Sequence, residues 1–294
     1  MHIKTSVSYR IFSIANHLFL IFLALLCLAP MVHVLALSLS TSSAATAGLV
    51  KLLPIDFTLS SYQFILESKQ FISSFLVSIQ RVLLGVSLSL FLTITLAYPL
   101  SKEVKDFRFR TIYAWIFVFT MLFSGGLIPW YLTIRMFGLI DTIWALVLPS
   151  AVQVFNVVLM LNFFRGLPKE LEESSFIDGG SHWSTLWRIY LPISLPSLAT
   201  ITLFSFVGQW NAWFDGLMLM NSPAKYPLTT YLQTIIIQPD MSKISMLQAK
   251  HLTEISDRTT KAAQIIVGSL PILVIYPFLQ KYFVKGLVMG SVKE

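Results

Sequence analysis

Apolar residues gather along this chain in six runs, near 16–38, 78–100, 111–131, 139–163, 193–214 and 262–283, and the charged residues collect between them. Each run can cross the roughly 30 Å of hydrocarbon in a bilayer, which takes about 20 helical residues. Backbone groups in lipid must be paired inside the segment, and a barrel would show short alternating stretches instead of continuous runs, so the pattern predicts helices. The predicted fold class is all-α, a polytopic membrane protein with six transmembrane helices. One polar segment departs from this rhythm. Leu167 to Pro192, LPKELEESSFIDGGSHWSTLWRIYLP, is a charged island with a short helix, a glycine-broken turn and a second amphipathic piece.

Composition agrees with the pattern. The chain is 55% apolar and only 12% charged, against about 25% charged in soluble proteins, and its mean hydropathy is +0.74. A net charge of +7 raises the question of nucleic acid, but Lys and Arg sit at the ends of apolar runs with no compact basic patch, so nucleic acid is excluded as a partner and the lipid bilayer is the expected environment. With the N-terminus in the cytoplasm, the inside segments carry Lys4, Arg10, Lys102, Lys105, Arg108, Arg110, Arg165, Lys169, Arg188, Lys281, Lys285 and Lys293, twelve against eight outside. Five of the eight, Lys225, Lys243, Lys250, Arg258 and Lys261, lie in one long loop that carries little topological weight. Both termini of this multi-pass protein are therefore expected in the cytoplasm. The first run is longer than the roughly 7–15 residues of a signal h-region and is expected to be retained as an extra N-terminal helix. Cys27 is the single cysteine, which removes any disulfide framework.

Arg81 is the one basic residue that could lie within a span. A charge at the bilayer centre costs about 2.5–3.5 kcal/mol on insertion scales, and the apolar stretch Val82–Leu100 is already nineteen residues long. Arg81 is accordingly expected at the outer interface, or snorkelling towards it. In the island, Pro168 suits a first helical position, and Glu170, Glu172 and Glu173 complement the positive end of the helix dipole. Gly179 and Gly180 stop the helix, while Ser174 and Ser175 keep one face small. An ordinary solvated loop and a partner-docking helix fit these residues equally. Gln209, Trp210 and Asn211, followed by Trp213, offer aromatic faces and amides to a sugar, and they fit an interfacial belt with polar helix contacts as well.

The island carries a family resemblance. Glu173-Ser174-Ser175, three residues, Gly179, nine residues, Ile189, one residue, Leu191-Pro192 resembles the EAA loop of permease subunits of binding-protein-dependent ABC importers, with both alanines replaced by serine. Ala97-Tyr98-Pro99-Leu100-Ser101, SGGLIPWYL from Ser124, WALVLPSAVQVFNVVLMLNFFRGLP from Trp144, GQWNAWFD from Gly208 and PILVIYPFLQKYFVKG from Pro271 are similar to carbohydrate permeases of the maltose-transporter type, within an LplC/YtcP-like branch associated with complex, often acidic oligosaccharides from pectin or alginate. The resemblance runs over roughly residues 65–294. It implies a single permease domain over 1–294 with a MetI-like core at about 70–290 and an EAA coupling loop at 167–192. It further implies that Leu171, Glu172, Glu173, Ser174, Ser175, Phe176, Ile177, Asp178 and Gly179 form a cytoplasmic coupling helix in a cleft of an ATPase, with Glu173 as the anchoring charge and Leu171, Phe176 and Ile177 as its apolar filling. The tail from Gly290 to Glu294 resembles a segment that reaches the same ATPase pair. The partners implied are an ATPase subunit dimer, a second homologous permease completing a heterodimer, and an extracytoplasmic sugar-binding protein facing the loop at about 215–261.

No Gly-Lys dipeptide occurs, so a phosphate-cradling GxxxxGK[ST] loop is impossible and the chain is not expected to be an ATPase. ATP and magnesium are expected on the partner, with no cofactor, metal or catalytic residue in this chain, since His2, His17, His33, His182 and His251 make no metal-spaced set. Two other functions fit less well. An ion-coupled secondary transporter calls for inverted repeats and ionisable residues in the core, and a membrane hydrolase calls for a nucleophile beside a base.

Overall fold

The computed structural model describes residues 7–237 and 257–291, with side chains defined for 8–235 and 258–281. Every regular element among them is helical. The first three helices are α1 (Val7–Ser38), α2 (Ser42–Thr46) and α3 (Ser60–Glu67). They are followed by α4 (Lys69–Ser101), α5 (Arg110–Leu122), α6 (Leu127–Met136), α7 (Ile143–Val147) and α8 (Val154–Arg165). The island holds α9 (Glu170–Ile177), α10 (His182–Thr185), one π-helical turn (Leu186–Tyr190) and α11 (Leu191–Ile193). Beyond it lie α12 (Leu195–Asn211), α13 (Phe214–Leu219), α14 (Leu228–Ile237) and α15 (Asp257–Ser291).

The chain divides into two compact units, one of residues 1–69 and 235–269, the other of 70–234 and 270–294. In the first, α1 is apolar along its whole spanning window and that window has no buried residue. Its C-terminal end packs, with Ala36 joining Ala44 and Val50 in a small core. Ser38 shares a hydrogen bond of 2.7 Å with Tyr62, and the Ser40 hydroxyl accepts from the Ile55 amide at 3.0 Å.

In the second unit α4 is the central element. Its face of Ser74, Ser78, Gly85, Ser89, Thr93 and Ala97 is small and buried, which lets other helices approach closely. The main core collects Ile94, Ala97 and Tyr98 of α4, Val157, Met160 and Phe164 of α8, Leu186 and Tyr190 of the π turn, and Ile201 of α12. A second core joins Ile134, Ala145, Leu146, Leu219 and Met220.

Six apolar runs are present, and among the described residues three of them are single helices: residues 8–38, 69–101 and 258–281. The other three are bent pairs, and here the structure corrects the predicted spans. The run at 111–131 breaks at Phe123 to Gly126, where α5 and α6 meet at 115°. At about 1.5 Å per residue neither half crosses about 30 Å alone, and Gly126 turns the chain with φ of 84°. The run at 139–163 breaks by 46° after a short 3₁₀ turn at Leu148–Ser150 containing Pro149. Near Ser194 the chain bends by 83° into α12, between Pro192 and Pro196. Pro168 also differs from expectation, lying ahead of α9 and not inside its first turn.

Gly85 marks the tightest approach to α4. A Cβ built there would stand 2.7 Å from Gln209 Cδ, and Gln209 is 2% exposed and held by two partners. Gly85→Ala should therefore destabilise by about 1–3 kcal/mol through overpacking, measured as a lowered melting temperature of the detergent-solubilised protein, whereas Gly208→Ala, with its nearest neighbour at 3.6 Å, should melt like the parent.

Candidate functional site

Helix α9 is short and polar, and its form follows from its ends. Glu170, Glu172 and Glu173 occupy its first turn, where carboxylates meet the unpaired amides and the positive end of the dipole. At the other end the Gly179 amide donates to Phe176 O at 3.0 Å and the Gly180 amide to Ser175 O at 2.7 Å, the two bonds of a Schellman motif. Gly179 holds φ of 79°, which a side chain resists, and a Cβ on Gly180 would come within 2.5 Å of Ser175 Oγ. Both glycines are thus required by geometry. Ser181 then caps α10 by accepting from the Ser184 amide at 3.2 Å, and Ser175 shares a 2.8 Å hydrogen bond with Thr185 across the turn.

No residue of α9 is buried. Ile177 is 86% exposed and Phe176 39%, so the turn presents apolar groups to its surroundings. Glu173, Ser174, Asp178 and Gly179 are exposed and Leu171 is half-buried. The Glu173 carboxylate has no hydrogen-bond donor among the described residues and stands near Lys169 only as a Coulombic neighbour.

Glu172, one residue earlier, is turned the other way. Its Oε1 accepts from Lys102 Nζ at 2.5 Å and its Oε2 from the Tyr190 hydroxyl at 2.8 Å. Lys102 is 8% exposed and its ammonium lies 3.8 Å from the centroid of the Tyr98 ring and 4.5 Å from that of Tyr190, close enough for cation–π attraction. Burial pulls the Lys102 ammonium below the usual lysine range, and the bond to Glu172 pushes it back up. Tyr98 and Tyr190 pack edge to face at 5.1 Å, each also against Phe164. At the rim Lys169 pairs with Glu103, a bond that lowers the Glu103 pKa and raises that of Lys169. These groups line a cleft of about 620 Å³ behind α9. Sequence reasoning took Lys102 as a topological charge and assigned nothing to Tyr190. Their partner is some 70 and 18 residues away, and no local period marks such a pairing.

Arg81 corrects its sequence expectation. It is 1% exposed and does not reach solvent. Its Nη1 donates to Asp215 Oδ1 at 3.1 Å, its Nη2 donates to Asp215 Oδ2, its Nε donates to Gln209 Oε1 at 3.0 Å, and Nη1 also reaches Ala212 O at 3.2 Å. A bidentate carboxylate matches the planar guanidinium fork. Snorkelling towards water is replaced by this enclosed pair, which the sequence did not reveal because Asp215 follows the break after α12, 134 residues away.

The three residues predicted along a sugar pathway separate. The Gln209 amide is held between Arg81 and Ser150. Trp210 is 2% exposed, stacked on Phe206 and edge-on to Phe75. Asn211 is exposed and lines a cavity of about 1320 Å³ together with Trp130, Trp213, Asp215 and the turn Ser124–Gly126. The predicted loop at about 215–261 begins with α13 and α14; Asp240, Lys243, Lys250 and Glu254 lie outside the described residues, as do the tail from Val292 and Lys4.

Within the second unit, bent apolar helices border a large cavity and a polar loop carries one exposed capped helix, features expected of a membrane transport permease. The chain belongs to the family described as "Binding-protein-dependent transport system inner membrane component", whose sequence model matches residues 89–288. It is 40% identical over 284 residues to Protein LplC of Bacillus subtilis (strain 168), covering 97% of this chain and 95% of that protein. It is 38% identical to the polygalacturonan/rhamnogalacturonan transport system permease protein YtcP of the same organism, covering 97% and 99%. Among solved structures, a chain of a bacterial ABC transporter involved in the import of the acidic polysaccharide alginate superposes with a TM-score of 0.88 at 34% identity, over 96% of this chain and all of that one. The fold recurs at 17% identity and a TM-score of 0.56 in an alginate ABC transporter crystallised with an alginate pentasaccharide-bound periplasmic protein. The family is one of transport permeases, and the ion-coupled carrier considered from sequence gives way to it.

Removing one member of a buried ion pair leaves the other uncompensated, which costs about 3–5 kcal/mol, whereas replacing both by apolar groups is close to neutral. Arg81→Met alone should lower the melting temperature of the purified protein sharply, and Arg81→Met with Asp215→Leu should recover most of the loss.

Proposed function

We propose that this chain is the membrane-spanning half-channel of an ATP-driven importer of acidic oligosaccharides, and that α9 is the helix by which a separate ATPase drives it. The observation that carries the docking role is the exposed face of α9, where Ile177 is 86% exposed, Phe176 keeps 39% of its surface open beside His182, and the Glu173 carboxylate has no hydrogen-bond donor among the described residues, on a helix closed by two required glycines. An apolar patch rimmed by charge is the surface of a partner site. The substrate class draws support from the relatives, since YtcP is described for polygalacturonan and rhamnogalacturonan and the matching solved transporter for alginate.

In this reading the island and both termini face the cytoplasm, and the ATPase dimer holds ATP and magnesium, with no cofactor on this chain. A second homologous permease completes a heterodimer, and a binding protein delivers the sugar on the opposite side of the membrane. Closure of the ATPase pair displaces α9, and helices with discrete packings respond by rocking as rigid bodies, which switches access to the pathway. Of the predicted pathway residues Asn211 is the one facing the large cavity, where its amide and the rings of Trp130 and Trp213 suit hydroxyls and C–H faces.

The test uses the complete transporter in proteoliposomes. Oligogalacturonides, rhamnogalacturonan fragments and alginate oligosaccharides bound to the binding protein should stimulate ATP hydrolysis, and maltodextrins should not. Glu173→Lys should lower retention of the ATPase on the purified permease and cut sugar-stimulated hydrolysis at least tenfold. Wild-type hydrolysis and uptake in that variant sink the docking role, and stimulation by neutral sugars alone sinks the substrate class.

A further inference from the structure

We propose that Glu172 and Lys102 form the pin that carries the displacement of α9 into the bundle, so that Lys102 is a positioning residue for transport. The inference rests on the docking role of α9 given above. A helix passes on a push through whatever holds it, packed side chains or polar networks alike. No residue of α9 is buried, and its one ring contact among the described residues, Phe176 edge-on to His182 at 4.8 Å, reaches only across the turn. Its hydrogen bonds and ion pairs to the rest of the second unit are the rim pair of Lys169 and Glu103, the hydroxyl contact of Ser175 with Thr185, and those of the Glu172 carboxylate. The first is exposed, with side chains 74% and 45% accessible, and such pairs are worth little. The second joins α9 only to its neighbour across the turn.

Glu172 differs in kind. One oxygen takes Lys102, immediately after the end of α4, and the other takes Tyr190, the last residue of the π turn that leads through α11 into α12. A single carboxylate therefore grips two separate elements of the bundle. Lys102 is in turn held over the Tyr98 and Tyr190 rings, and its carbonyl accepts from Arg110 of α5 at 2.9 Å. The π turn widens the helix at the point where Tyr190 must reach Glu172, and such turns recur at functional sites. Movement of α9 then draws on α4 and α12 together.

The experiment measures sugar moved per ATP hydrolysed by the reconstituted complex of permease, second permease, ATPase and loaded binding protein. Lys102→Met should keep the ATPase on the purified complex and lower that ratio about tenfold. Lys102→Arg should restore it to within about threefold of wild type. Tyr190→Phe, which keeps the ring and removes one bond, should give an intermediate loss. The double variant Lys102→Met with Glu172→Gln should be no worse than Lys102→Met, because both remove the same link. A wild-type ratio in Lys102→Met, an arginine variant as impaired as the methionine one, or additive losses in the double variant would overturn the proposal. Loss of the ATPase from the Lys102→Met complex would overturn it too, by making the residue part of the docking surface. If wild-type permease retains no ATPase at all, the docking role itself is wrong, and that result is read separately in the co-purification step.

Discussion

Broken helices impose the governing constraint on this protein. Where a helix stops inside an apolar bundle its amides and carbonyls lose their partners, and in lipid each unpaired group costs several kcal/mol. The repairs come from far along the chain. Arg81 of α4 donates to Ala212 O at the end of α12, Thr229 donates to the carbonyls of Trp210 and Ala212, and Thr230 donates to that of Trp213. Gln209 reaches Ser150 at the break between α7 and α8. These bonds lie beside the cavity at Asn211 and Asp215, whose wall also includes Trp130, Ile134 and Leu139 of the second core.

The same logic at the opposite end of α4 gives a different outcome. Around Glu172 the polar groups join an exposed helix to a packed core and patch no break, so the network is a joint between a part with no buried residue and a part with many. Its partners are long side chains with aromatic support, which hold direction while tolerating small shifts. Arg81 sits within α4 and Lys102 directly follows it, so one continuous helix of 33 residues connects the two polar networks.

Much of this was legible in the amino-acid order, and the parts that were not share a cause. The unbroken helices α1, α4 and α15 contain the apolar runs at 16–38, 78–100 and 262–283, because length and hydropathy decide them. The stop at Gly179 and Gly180 was legible because turn chemistry is local. The 115° break at 123–126 was not, since Ser124, Gly125 and Gly126 sit inside a run apolar enough to span. The burial of Arg81, the inward turn of Glu172 and the enclosure of Gln209 depend on pairs separated by 134, 70 and 59 residues. No periodicity encodes a contact at such range, and hydropathy counts a charge as costly without seeing its counter-ion. The serines at 174 and 175 gain meaning only in three dimensions, where one of them meets Thr185.

The distance between Arg81 and its counter-ion has a consequence for biogenesis. At a synthesis rate of about 5–20 residues per second, Arg81 is made roughly 7 to 27 s before Asp215, which follows it by 134 residues. During that interval the guanidinium has none of the partners it keeps in the fold, since Gln209, Ala212 and Asp215 all come later in the chain. The pocket that encloses Arg81 is completed only when the second half of the chain arrives, so α4, early in the sequence, finishes its burial late.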